Sequence, residues 1–102
     1  MKKKILLIAA LVCSATTAFA ADIEAGKAKS MICAACHGQD GIAVIDGYPN
    51  LRGQNQKYMV SALHAYKDKL RTGSNAMLMQ PQAMLLSNDD MENLAAYYSS
   101  LK

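Results

Sequence analysis

The chain of 102 residues has no tryptophan, one phenylalanine and two prolines. It has no alternating apolar and polar stretch long enough to claim a strand. A βαβ scaffold of the thioredoxin type is therefore excluded. No basic cluster marks a nucleic-acid surface. Internal repeats and low-complexity tracts are absent. No apolar run reaches the roughly 18 residues of a membrane span. Of the three cysteines, two form the only C-x-x-C pair. A structural zinc centre wants four Cys or His ligands, and Cys33, Cys36 and His37 supply three.

What is present begins at the N-terminus. Lys2, Lys3 and Lys4 precede an apolar run from Ile5 to Cys13, followed by Ala18-Phe19-Ala20. These are the basic, apolar and cleavage regions of a secretory signal peptide. The expected division is a signal peptide over 1–20 and a single domain over 21–102, with a retained N-terminal anchor as the rival. Cys13 is lost on cleavage, and the bulky Val12 before it argues against a lipid-modified cysteine. The whole chain is +3, from 11 basic and 8 acidic residues. Without the three lysines the basic and acidic residues balance, so long-range steering toward a charged partner is weak.

The sequence Cys33-Ala34-Ala35-Cys36-His37 organises the rest. It is the C-x-x-C-H attachment signature of a c-type haem. Two thiols at this spacing can add to the two vinyl groups on one edge of a porphyrin. The next imidazole is then held over the iron. A plain disulfide would leave His37 without a role. Residues 21–102 are few for a self-sufficient core, and small scaffolds usually need a staple. A covalent haem supplies apolar surface to pack on, so the chain without it is expected to be unfolded or molten.

Asp22 to Ile32 reads as a helix with Asp22 as N-cap and Gly26 inside it. Gly38 to Gly53 reads as a loop, with turns at Gly38-Gln39-Asp40-Gly41 and Asp46-Gly47 and no helix through Pro49. Gln54 to Leu70 has helical spacing, with Tyr58, Leu63, Ala65, Tyr66 and Leu70 toward the core. Arg71 to Met84 contains Gly73, Asn75 and Pro81 and reads as a loop rich in methionine. Ser87 to Lys102 reads as the last helix, capped by Ser87 with Asp90 three residues on. Its apolar stripe is Met91, Leu94, Ala95, Tyr98 and Leu101.

With His37 on one side of an iron, the sixth position decides the chemistry. A thioether raises the reduction potential relative to a second imidazole. The candidates are Met77, Met79 and Met84, with mid-helix His64 as the rival. Any one methionine in isolation reads as a core gap-filler, and His64 as a partly exposed helical residue.

Several segments together resemble the class I c-type cytochromes, specifically the small bacterial periplasmic monohaem type and one half of the dihaem periplasmic proteins. They are the acid-Ile-x-x-Gly-Lys opening, C-A-A-C-H-G, Tyr48-Pro-x-Leu-x-Gly-Gln, the Arg71 to Asn75 loop, Met79-x-x-x-Ala-x-x-Leu-Ser and Leu94-Ala-Ala-Tyr-Tyr. The resemblance covers residues 21–102. It implies an all-α class I cytochrome c fold, about three main helices around one covalently bound haem c. It implies Cys33 and Cys36 as attachment points, His37 and Met79 as iron ligands, and Met77 as runner-up. The Pro49 carbonyl is then expected to accept the Nδ1–H of His37. Leu51 would pack on the haem, and Arg71 and Asn75 would bond its propionates. Gly26 with Tyr97 or Tyr98 would join the first and last helices.

The implied function is electron transfer in the periplasm by an iron cycling between Fe(III) and Fe(II), with no bond chemistry of its own. Redox partner proteins would dock at the exposed haem edge through a small, wet interface. The domain is expected to be a monomer that does not span the membrane and binds no nucleic acid. Three alternatives stand beside this: a haem subunit permanently bound to a larger dehydrogenase or oxidase, a haem-based ligand sensor or weak peroxidase, and a Cys/His metal module without haem.

Overall fold

The computed structural model describes residues 2–10 and 20–102. Cys13, Ala18 and Phe19 of the expected signal peptide lie outside the described residues. Among the described residues there are five α-helices and no strand: α1 (Ile23–Lys29), α2 (Met31–His37), α3 (Gln56–Lys67), α4 (Ala76–Met84) and α5 (Asn88–Ser100). None of these helices is long and apolar enough to cross a membrane.

The first expected helix divides in two. The Asp22 carboxylate caps α1 by accepting from the Glu24 and Ala25 amides at 3.0 and 3.2 Å. At Ser30 the hydroxyl donates to the Lys27 carbonyl at 2.6 Å, and a side chain that bonds the preceding turn competes with the helical ladder. The chain restarts as α2, so the C-x-x-C-H segment is itself helical. Spacing of i, i+3 then sets both thiols on one side. α2 stops at Gly38, which sits at φ +83°. A Cβ there would overlap the Ile42 carbonyl, so only glycine lets the backbone turn immediately after His37.

α5 is the centre of the core. Ser87 and Asp90 form a reciprocal capping box, each side chain bonded to the other's backbone amide at 3.0 Å. Met91, Leu94, Ala95 and Tyr98 are buried as the stripe requires, and Ala96 and Tyr97 join them. Tyr97 is buried because α1 crosses α5 there. Gly26 lies against Asn93 and Tyr97, where an added Cβ would overlap the Asn93 carbonyl and sit 2.9 Å from the Tyr97 Cβ. A backbone obstacle cannot rotate aside. Gly26→Ala is therefore expected to cost about 3 kcal/mol or more of stability by forcing the helices apart, read as a lower denaturant midpoint of the haem-loaded protein. A midpoint equal to wild type would show that the crossing is loose.

α3 is shorter than expected, and its face is turned by one residue. The Asn55 side chain accepts from the Tyr58 amide at 2.9 Å and starts the helix two residues later. Met59 is buried, with Val60 and Leu63 packed on the core. Tyr58 and Leu70, expected inside, are 53% and 77% exposed. α4 corrects the sequence reading more sharply, since the expected loop from Arg71 to Met84 is helical from Ala76 on. Pro81 stands inside it. The ring removes one hydrogen bond, to the carbonyl of Met77 four residues back, and that residue is exposed, so water can satisfy it. Ala76, Met77, Leu78, Met79 and Gln80 are good helix formers and carry the turn up to the proline.

Candidate functional site

A cavity of about 710 Å³ opens between α2, α3 and α4, floored by α5. That size falls within the roughly 300–1,000 Å³ of small-molecule and cofactor sites. Ile32, Leu51, Met59, Leu63, Leu78 and Leu94 make it apolar. Cys33, Cys36 and His37 reach it from α2, Pro49 from the loop, and Met79 from α4. Arg71 and Asn75 also line it, at its rim, with exposed side chains. Met77, Met84 and His64 do not line it, and Met77 is 61% exposed. A second depression of about 410 Å³, lined by Gln56, Lys57, Val60, Ser61 and Glu92, holds no thiol or imidazole.

His37 is 5% exposed. Its Nδ1–H donates to the Pro49 carbonyl at 2.8 Å. Proline leaves that carbonyl free of a helical ladder, and the bond fixes the tautomer in which Nε2 is a lone-pair donor. The Tyr48 ring stands edge-on to the imidazole, 6.4 Å between centroids at 85°. The loop that carries Pro49 is itself braced. The Leu51 and Arg52 amides donate to the Gly41 carbonyl at 2.8 and 3.0 Å, and the Gly53 amide to the Tyr98 carbonyl at 2.9 Å. The Asn50 side chain accepts from the Ala43 amide at 2.8 Å.

On α4, Met79 is half-buried and its neighbour Gln80 is buried. The Gln80 amide group donates to the Arg71 carbonyl at 2.9 Å, and the Arg71 guanidinium lies 4.4 Å over the Tyr66 ring. α4 is thus tied to the end of α3 beside Met79. Sequence reasoning passed over Gln80, because a glutamine in an expected loop carries no burial signal.

Both thiols are free. Burial pushes the Cys33 thiol above its usual range. The Tyr98 hydroxyl beside it acts in the opposite direction, and Cys36 adds to the rise. The Tyr98 hydroxyl is pushed up as well, by burial first and then by Cys33. Tyr98 is 1% exposed, yet its oxygen has no hydrogen-bond partner. A buried hydroxyl without a partner, set in the wall of an apolar cavity beside a thiol, is what an incomplete site leaves behind. The residues fit a flat, largely apolar group anchored by two thioethers and ligated by one nitrogen and one sulfur. Among the described residues no three His, Cys, Asp or Glu side chains converge to hold a metal ion directly. A closed Cys/His metal module therefore has no counterpart here.

Known proteins agree with this chemistry. The family model described as Cytochrome c matches residues 23–102. Cytochrome c-554(548) of Halomonas halodenitrificans is 49% identical over 81 residues, covering 79% of this chain and 98% of that protein. Cytochrome c4 of Pseudomonas aeruginosa is 39% identical over 83 residues, and this chain spans only 40% of it. The crystal structure of reduced cytochrome c4 from Pseudomonas stutzeri superposes with a TM-score of 0.71 at 36% identity, covering 81% of this chain and 47% of that one. The all-α class I fold is thus shared, and each such domain carries one covalent haem c. The match runs from the first residue of α1 through the last residue of the chain and includes every wall of the cavity, so the chain belongs to the cytochrome c family.

Proposed function

We propose that residues 21–102 form a periplasmic electron carrier, exported by the signal peptide over 1–20. Its haem iron would be held by His37 and Met79, with attachment through Cys33 and Cys36. A haem c supplies reversible one-electron exchange at its iron. The chain's own residues hold that exchange to a fixed ligand set. His37 is locked by Pro49 and cannot turn away. Met79 faces the same cavity from a helix pinned through Gln80. Ile32, Leu51, Met59, Leu63 and Leu94 exclude water and so favour the less charged ferrous state. The observation that carries the reading is a single cavity lined by the His37 imidazole and, of the candidate methionines Met77, Met79 and Met84, by Met79 alone.

The test is a carbon monoxide titration of the reduced, secreted protein at neutral pH, beside its absorption and low-temperature EPR spectra. The expected result is a low-spin, His/Met-ligated iron that takes up carbon monoxide slowly or not at all. Rapid uptake would mean an open position, and the sensor reading would replace this one.

One observation favours a second reading, in which the domain is a standing subunit of a larger redox complex. Met77, Met84 and Leu85 extend the outward face of α4 at 61%, 54% and 72% exposure. Contiguous apolar surface of this kind marks an interaction site. Size exclusion and co-purification from the native host separate the readings: a free carrier elutes at its own mass.

A further inference from the structure

The Tyr98 hydroxyl is the feature that the electron-carrier reading leaves unused. Its side chain is buried in the core cluster with Leu94, and Leu101 and Cys33 pack against the same cluster. Tyr98 lines the cavity, and its oxygen is buried without a hydrogen-bond partner. Two acceptors stand near it, the Cys33 sulfur and the Ser30 hydroxyl. Ser30 donates to the Lys27 carbonyl at 2.6 Å, belongs to the α1–α2 junction and does not line the cavity. The Cys33 sulfur belongs to the cavity. An aliphatic hydroxyl or a phenol buried at 1% exposure has a strong incentive to find an acceptor, and a thioether sulfur is a weak but sufficient one.

We propose that the Tyr98 hydroxyl donates a hydrogen bond to the Cys33 sulfur in the haem-loaded protein, making Tyr98 a positioning residue that fastens the first thioether and raises the reduction potential. This rests on the haem attachment read above. A donor at the sulfur draws electron density from the edge of the macrocycle. That favours the reduced state without touching either iron ligand. The role is separate from packing, since phenylalanine keeps the ring and loses only the hydroxyl.

The experiment compares wild type, Tyr98→Phe and Ser30→Ala, all haem-loaded, by potentiometry and thermal melting. In Tyr98→Phe the redox equilibrium against a partner of fixed potential is expected to move about three-fold toward the oxidised form, the order of a fraction of one hydrogen bond's net worth. Its axial ligation should be unchanged. Ser30→Ala should leave the potential at the wild-type value. In reduced wild type, proton NMR should show a slowly exchanging Tyr98 hydroxyl proton in contact with the Cys33 β-protons. That measurement decides the matter even if Tyr98→Phe fails to load haem. A coloured, His/Met-ligated Tyr98→Phe with wild-type potential would overturn this inference alone. So would a Ser30→Ala shift as large as that of Tyr98→Phe, or a hydroxyl proton in contact with Ser30 only. A colourless wild-type protein would overturn the haem reading first, and this inference with it.

Discussion

Replacing Met79 by leucine is expected to lower the reduction potential by on the order of 0.1 V, a modest part of the roughly 0.8 V that axial ligands command. The same change should open the reduced iron to carbon monoxide. Leucine is close to methionine in volume, and such swaps usually cost under about 1.5 kcal/mol. Met79 is only half-buried, so the fold should survive and the haem should stay attached. What is lost is the soft sulfur that favours the ferrous state. Met77→Leu and His64→Gln are the matched controls, because neither side chain lines the cavity. Both should keep the wild-type potential and spectrum. If Met79→Leu keeps its axial ligation while Met77→Leu loses it, α4 is rotated from the position described and Met77 is the ligand.

Replacing both Cys33 and Cys36 by alanine is expected to abolish the folded domain. The walls of the cavity enclose about 710 Å³. At about 24 cal/mol per Å³, a dry void of that size would cost more than the roughly 5–15 kcal/mol that stabilises a small domain. Filling it with water would instead hydrate Leu51, Met59, Leu63 and Leu94. Neither outcome is affordable with the short helices present, since α1 and α2 have seven residues each and isolated helices of that length are marginal. Far-UV circular dichroism should show a large loss of helix, and limited proteolysis should cut throughout 21–102. A cooperative thermal transition like that of the loaded protein would show that the polypeptide core suffices alone. The α5 capping box is the one local device expected to leave residual helix.

Local signals gave much of this architecture away. Asp22, Ser87 and Asp90 are caps because short polar side chains reach amides two or three residues on, and the structure places them so. The buried stripe of α5 follows from a 3.6-residue period with no competing pattern. Pro49 excludes a helix at its own position by local rule, while its carbonyl as the partner of His37 follows from the resemblance to class I cytochromes and is what the structure shows. Gly26 was noted as a small residue awaiting a close neighbour, and α5 supplies one. The failures are equally specific. Gly73 and Pro81 hid the helix from Ala76 to Met84, Asn55 moved a helix start by two residues, and the choice of Tyr58 over Met59 misjudged a face by one position.

By itself the sequence determined the all-helical class, the paired thiols with the adjoining imidazole, and the caps that start the first and last helices. Each depends on groups a few residues apart, whose relative positions the chain geometry sets almost alone. Only the tertiary structure decided that Met79, and neither Met77, Met84 nor His64, shares a cavity with His37, and that Tyr98 leaves its hydroxyl unpartnered beside Cys33. Those facts depend on how α4 and α5 rotate against α2, across 42 residues of chain from His37 to Met79 and 65 from Cys33 to Tyr98. Rotation about a helix axis is set by which side chains the neighbouring helices leave room for, and one residue's step along a helix turns a side chain by roughly 100°.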